Sequence, residues 1–248
     1  MKVKTILVSQ PEPKSDASPY HELARKQKVK VDFRPFIHVE GVDGADVRQQ
    51  KVSITDHTAV ILTSRNAVDH YFRVCEEMRF EVPTSMKYFC MSEAIAFYLQ
   101  KYITYRKRKI YFGKQRFSDL IDTIKKHKSE KFLLPSSDLL KPVIPQLLDD
   151  NKIDYTRAIL YKTVCSDLSD LEDVFYDILV FFSPSGIKSL FQNFPEFVQN
   201  NTRIAAFGQT TVKAVAEAGL KVNIEAPSVK APSMSMALEQ YIKNTNKK

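Results

Sequence analysis

The residues best suited to chemistry in this sequence are small hydroxyls grouped where apolar runs give way to amphipathic ones. Thr63, Ser64 and Asn66 follow the run Ala59–Leu62, and Ser92 follows Lys87–Met91. Much later, Ser183 and Ser185 follow Ile178–Phe182, and Gly208, Thr210 and Thr211 follow Arg203–Phe207. A Ser or Thr placed there caps the coming helix, its oxygen accepting an N–H that the helix cannot use. The same place suits a ligand, because the remaining free N–H groups and the helix dipole attract an anion. Both readings hold together, and several such helix starts would suit a ligand carrying several carboxylates. A further candidate is Tyr161, in the strand-like stretch IDYTRAILYKTV (Ile153–Val164). Its phenol can donate a proton, or it can be an interface aromatic with a satisfied hydroxyl.

Other chemistry finds little support. Cys75, Cys90 and Cys165 show no CxxC or zinc spacing and read as reduced thiols, with Cys90 lacking any nearby helper for nucleophilic work. The five histidines form no HxH or HExxH pattern, so a metal site is not expected. None of the six glycines completes GxGxxG, GxxxxGK[ST] or GxSxG, which disfavours a phosphate cradle and a serine hydrolase elbow. No apolar run approaches the length of a membrane span. The start MKVKTILVSQP is too short an apolar run for a signal peptide, so the expected compartment is the cytoplasm. A net charge of +8 and a pI near 9.2 favour an acidic partner. The basic run Lys101–Lys114 has neither an RRM signature nor a Cys/His finger beside it, so no nucleic-acid partner is expected.

The elements that must position these residues alternate. Strands are expected over Lys2–Ser9, Val29–Glu40, Ala59–Leu62, Lys87–Met91, Lys109–Phe112, Lys131–Leu134, Ile153–Val164, Ile178–Phe182, Arg203–Phe207 and Lys221–Ile224. Helices are expected over Tyr20–Lys28, Arg65–Met78, Glu93–Lys101, Ser118–His127, Leu139–Asp149, Ser185–Gln192, Thr210–Ala218 and Ser233–Lys243. Gly41–Gly44 reads as a turn or linker and Asp167–Asp173 as an acidic loop or helix. Such alternation means an α/β fold with parallel sheets. The second half also repeats the first. Ser64 lies on Ser183, Met91 on Gly208 and Leu120 on Leu238, displacements of 183 − 64 = 119, 208 − 91 = 117 and 238 − 120 = 118. Two homologous lobes follow. One is discontinuous, residues 1–38 plus 166–248, and the other, 39–165, is inserted in it. Val29–Glu40 and Ile153–Val164 would form a two-stranded linker, with Tyr161 where the lobes face each other.

Several pieces carry a family resemblance: ILVSQP, LTSRNAV, the ILYKT segment, FFSPSGIKSLF and IAAFGQTTVKAVAEAGLKV. In this order, across nearly the whole chain, they resemble uroporphyrinogen-III synthase. The resemblance implies two Rossmann-like lobes joined by a two-stranded ladder. It also implies cyclisation of the linear tetrapyrrole hydroxymethylbilane, a polycarboxylate, to uroporphyrinogen III with its last ring inverted, using no metal or organic cofactor. Tyr161 matches the family's tyrosine proposed to assist loss of the first-ring hydroxyl. Ser64, Ser183, Thr210 and Thr211 are assigned to carboxylate binding, aided by backbone N–H groups. A monomer is expected.

The chain departs from the family pattern in three places. Gln10 stands where the family carries Arg, Met91 where it carries Gly, and Ser136-Ser137-Asp138 where it has a Gly/Arg turn. The departures at Gln10 and Met91 motivate an alternative, a two-lobed binding or sensor protein of the same fold without catalysis.

Overall fold

The computed structural model describes residues 2–247. In chain order its elements are β1 (Thr5–Val8), α1 (Pro19–Gln27), β2 (Lys30–Phe33), β3 (Ile37–Gly41), α2 (Gly44–Gln49), β4 (Ala59–Leu62), α3 (Arg65–Glu77), β5 (Lys87–Cys90), α4 (Glu93–Tyr98) and β6 (Ile110–Phe112). There follow α5 (Ser118–Lys125), β7 (Phe132–Ser137), α6 (Val143–Asp150), β8 (Tyr155–Cys165), β9 (Ile178–Phe181), α7 (Pro184–Asn193), β10 (Arg203–Phe207), α8 (Gln209–Glu217), β11 (Val222–Ala226) and α9 (Met234–Asn246). The chain divides into two compact units, residues 1–38 with 164–248 and residues 39–163.

The first unit is built on a parallel sheet of order β11-β10-β9-β1-β2. The pleat sends alternate residues to opposite faces. Ile6, Val8, Ile178 and Val180 meet Leu23 of α1 and Leu238 and Ile242 of α9 on one face. Leu7, Leu179, Phe181 and Ile204 meet Ile187 and Leu190 of α7 and Val215 of α8 on the other. Covered on both sides, β9 reads as the unbroken apolar run ILVF. The strand order changes direction between β1 and β9, the kind of place where open α/β sheets hold ligands at their carboxyl edge.

The second unit has the order β3-β8-β7-β4-β5-β6. Val60, Leu62, Tyr88 and Cys90 face Val68, Tyr71 and Val74 of α3. Ala59, Ile61, Phe89 and Phe132 face Leu120 and Ile124 of α5 and Leu148 of α6. Here the direction changes between β4 and β7, which brings β4 and the α3 start beside the β7–β8 edge of the sheet.

Three expectations about the elements need correction. Val29–Glu40 is not one strand. Pro35 has no N–H to give a ladder, and the stretch splits into β2, beside β1, and β3, beside β8. Gly41–Gly44 is not a linker either, since Gly44 opens α2, a helix whose only buried residue is Val47. Finally, α6 begins at Val143 rather than Leu139, because Pro142 disfavours helical backbone in the residue before it and takes the N-cap position itself.

Candidate active site

In the second unit the turn after β4 brings Ser64 to the N-cap of α3, with extended backbone (φ −157°, ψ 166°). Its Oγ accepts the Ala67 N–H at 3.0 Å. The earlier first-turn N–H groups, on Arg65 and Asn66, have no intrahelical partner by helix geometry. Thr63 is half-buried beside them and Asn66 is exposed.

The same Ser64 oxygen lies 3.1 Å from the Tyr161 hydroxyl, across 97 residues of chain. Tyr161 is not at the end of its strand, since β8 continues to Cys165, and the residue is only 6% exposed. Tyr161 is therefore packed within the strand, with only its hydroxyl end reaching Ser64. Burial raises the phenol above its usual acidity range, and the Ser64 bond offsets part of that rise. The group is protonated at neutral pH and able to donate.

β8 is held from both sides. The side-chain amide of Gln50, just past α2, donates to the Ile159 carbonyl at 2.8 Å and accepts the Ile159 N–H at 2.9 Å. Arg157 donates to Ser136 Oγ (2.9 Å), the Ser137 carbonyl (2.8 Å) and the Asp138 carbonyl (3.1 Å), so the turn that departs from the family pattern is fastened by a β8 side chain. The Asp138 N–H in turn donates to the Tyr161 carbonyl.

Ser92 caps the short α4 through its backbone, with no side-chain cap bond. Glu93 follows in the first turn and already places a negative charge at that helix start. Met91 does not adopt the left-handed backbone. This copy of the turn has no need of glycine, because α4 starts from extended Ser92 (φ −145°).

In the first unit Ser183 caps α7 with backbone close to that of Ser64 (φ −155°, ψ 156°), its Oγ 3.3 Å from the Gly186 N. Pro184 fills the first helical position and Ser185 is half-buried. Gly208 precedes α8 with φ +84°, and a Cβ there would meet no atom within 4 Å. The glycine is therefore required by backbone conformation and not by crowding. It offers no side-chain cap, which leaves the Gln209 and Thr210 N–H groups at an open helix start. Thr210 is exposed, whereas Thr211 is fully buried and its Oγ1 has no partner. Thr210 is open to solvent and Thr211 is sealed from it, so burial speaks against the carboxylate contact expected of Thr211.

Burial pushes the Cys90 and Cys75 thiols up to about 12, so neither is a nucleophile. Among the described residues no group of three or more His, Cys, Asp or Glu is placed to hold a metal ion. Residues missed by sequence reasoning are Gln50, His70 and Arg73, whose partners outside their own helices are Ile159, Tyr161 and Leu160 of β8 and Val42 just past β3. Their only trace in the sequence is the helical spacing of His70 and Arg73.

A protein-family model described as uroporphyrinogen-III synthase HemD matches residues 18–235. No curated protein matches the sequence. Among solved structures, the uroporphyrinogen-III synthetase of Helicobacter pylori 26695 is similar at 18% identity, with a TM-score of 0.63, covering 97% of this chain and 99% of its own. A mutant uroporphyrinogen III synthase from the extremely thermophilic bacterium Thermus thermophilus is similar at 13% identity, with a TM-score of 0.55, covering 99% and 100%. At these identities the two structures speak for the fold.

Proposed function

The chain belongs to the uroporphyrinogen-III synthase family, the cyclising lyases of tetrapyrrole biosynthesis, and we propose that it closes hydroxymethylbilane with Tyr161 assisting the first step. The observation that carries this reading is the Tyr161 phenol, kept protonated by burial and hydrogen-bonded to the helix-capping Ser64. Ser64 already accepts the Ala67 N–H, and its own proton can point at the phenol oxygen. That arrangement frees the phenol proton for a leaving group. In the first step the C–O bond of the first ring's hydroxymethyl group breaks, driven by the pyrrole nitrogen lone pair. The oxygen departs as water, taking the proton of Tyr161. The substituted carbon of the last ring attacks the resulting electrophile, and the spiro intermediate fragments and recloses with that ring inverted. The proton released as the ring system regains aromaticity restores the phenol, so the balance is loss of one water.

The bilane closes unaided without inversion, so most of the task is to hold one chain geometry. Carboxylate binding is assigned to Thr63, Ser64 and Asn66 at the start of α3, to Ser183 and Ser185 at α7, and to Gly208 and Thr210 at α8. Support comes from the open first-turn N–H groups at each start. Ser92 is the weakest member because Glu93 stands beside it. The same reading takes the enzyme as a cytoplasmic monomer without a nucleic-acid partner. The unpaired cysteines support that compartment, and among the described residues no helix is long and apolar enough to cross a membrane.

The experiment is to supply hydroxymethylbilane and resolve the uroporphyrin isomers after oxidation. Isomer III is expected, and isomer I alone would end the synthase reading. Tyr161→Phe is expected to lower kcat by about 100-fold, the low end of general-acid effects because a phenol is a weak acid at neutral pH. Full activity in that variant returns Tyr161 to a packing role.

A further inference from the structure

His70, on α3, stacks face to face on Tyr161, with ring centroids 5.0 Å apart and planes inclined by 17°. Its Nδ1 accepts the Nε–H of Arg73 at 3.1 Å. Because that nitrogen is an acceptor, the neutral ring carries its proton on Nε2. Arg73 is itself fixed by a fork of bonds. Its Nη2 donates to the carbonyls of Val42 (2.8 Å) and Leu160 (3.1 Å), and its Nη1 donates to Glu77. Leu160 immediately precedes Tyr161, so one guanidinium holds both the imidazole and the strand carrying the phenol. The guanidinium lies against Gly41, where an added Cβ would fall 2.8 Å from Arg73 Cζ and 2.9 Å from its Nε and Nη2. Gly41 does not have a left-handed backbone. A side chain there would have to displace the Arg73 guanidinium.

We infer that His70 is a positioning residue for Tyr161: fixed by Arg73 in the space left at Gly41, its ring clamps the phenol so that the hydroxyl meets Ser64. Its role in turnover rests on the reading of Tyr161 given above; the clamp itself does not. The clamp has a built-in acid limit. A proton on Nδ1 replaces the acceptor with a donor and sets two cations in contact. The groups acting on His70 are Arg73, Asp69 and Glu77 on its own helix and Tyr161 on β8. Burial and then Arg73 lower its pKa below the ordinary value of 6.5, against the opposing pull of Asp69 and Glu77. The clamp is therefore intact at neutral pH and is lost only as the pH falls below the ordinary histidine range.

The test uses the full chain with 13Cζ-labelled tyrosine, the Tyr161 signal being assigned by its loss in Tyr161→Phe. In the wild type that signal moves as the pH is lowered from neutral to below the ordinary histidine range, where His70 takes its proton. In His70→Phe, which keeps a ring on Tyr161 but cannot ionise, the movement is absent. Gly41→Ala displaces Arg73, removes its lowering effect and shifts the movement to higher pH. The clamp is overturned if His70→Phe follows the wild-type curve, or if Gly41→Ala leaves the curve unchanged. In turnover, His70→Ala is expected to lower kcat about fivefold with KM within twofold, through a misplaced Tyr161. His70→Phe keeps kcat within about twofold at neutral pH, since its ring still orients the phenol. Wild-type kcat in His70→Ala beside an impaired Tyr161→Phe overturns the role in turnover. Full activity in Tyr161→Phe fails the Tyr161 reading instead, and the spectroscopic arm still judges the clamp.

Discussion

Ser64→Ala removes two bonds made by one oxygen, to the Ala67 N–H at 3.0 Å and to the Tyr161 hydroxyl at 3.1 Å. Loss of the N-cap costs about 1 kcal/mol. The second loss strands a hydroxyl on a residue only 6% exposed, which costs about 1–3 kcal/mol. The expected total is therefore about 2–4 kcal/mol. Ser183→Ala serves as the internal control, because Ser183 caps α7 with nearly the same backbone and makes no such second bond. It should cost only about 1 kcal/mol. In a Tyr161→Phe background no hydroxyl is left to strand, and Ser64→Ala should fall back to about 1 kcal/mol. The resulting cycle gives a coupling of about 1–3 kcal/mol. Two compact units need not unfold in one transition, so stability is best read unit by unit from native-state amide exchange under urea. The reasoning is refuted if Ser64→Ala costs no more than Ser183→Ala, or if its cost is unchanged with Phe at position 161.

Two further perturbations test other parts of the fold. Thr211→Val replaces a fully buried, unpartnered hydroxyl by a methyl of similar size, and should stabilise the first unit by about 1 kcal/mol in the same exchange measurement; destabilisation would mean that the hydroxyl has a partner. Asp69 accepts hydrogen bonds from Tyr98, Tyr102 and Lys101. Burial alone would raise its pKa, but the bonds from Tyr102, Lys101 and Tyr98 outweigh it and hold the carboxyl below its ordinary value of 3.8. A group whose folded pKa is depressed stabilises above the unfolded pKa and loses that contribution as the pH falls through the folded one. Asp69→Asn should therefore be less stable than the wild type at pH 7, with the gap closing below about pH 4. A gap that persists unchanged into strong acid would assign the loss to packing.

Much of the architecture is legible in the sequence because its causes are local. A parallel strand covered on both faces prints as an unbroken apolar run, as AVIL of β4 and ILVF of β9 do. The capping serines Ser64 and Ser183 are equally plain, since a cap joins residues three apart. What escaped has identifiable reasons. α2 buries only Val47, too little to print a helical period. Val29–Glu40 carries the apolar content of one strand although Pro35 divides it between two sheets. Met91 and Gly208 occupy matching places in the repeat, yet only the Gly208 turn takes a left-handed backbone.

The sequence by itself determined the alternation of strands and helices, the internal repeat, the family and the helix starts that could meet an anion. Those features rest on periodicity and on neighbours in the chain. Only the tertiary structure decided that Thr210 is open while Thr211 is sealed in the core. It also decided that Tyr161 meets Ser64 across 97 residues and rests on a histidine held by Arg73. A contact between distant residues leaves no local period, because a Ser, His or Arg on a helix surface is equally at home facing water. Closing the sheet around β8 gives these side chains a common partner.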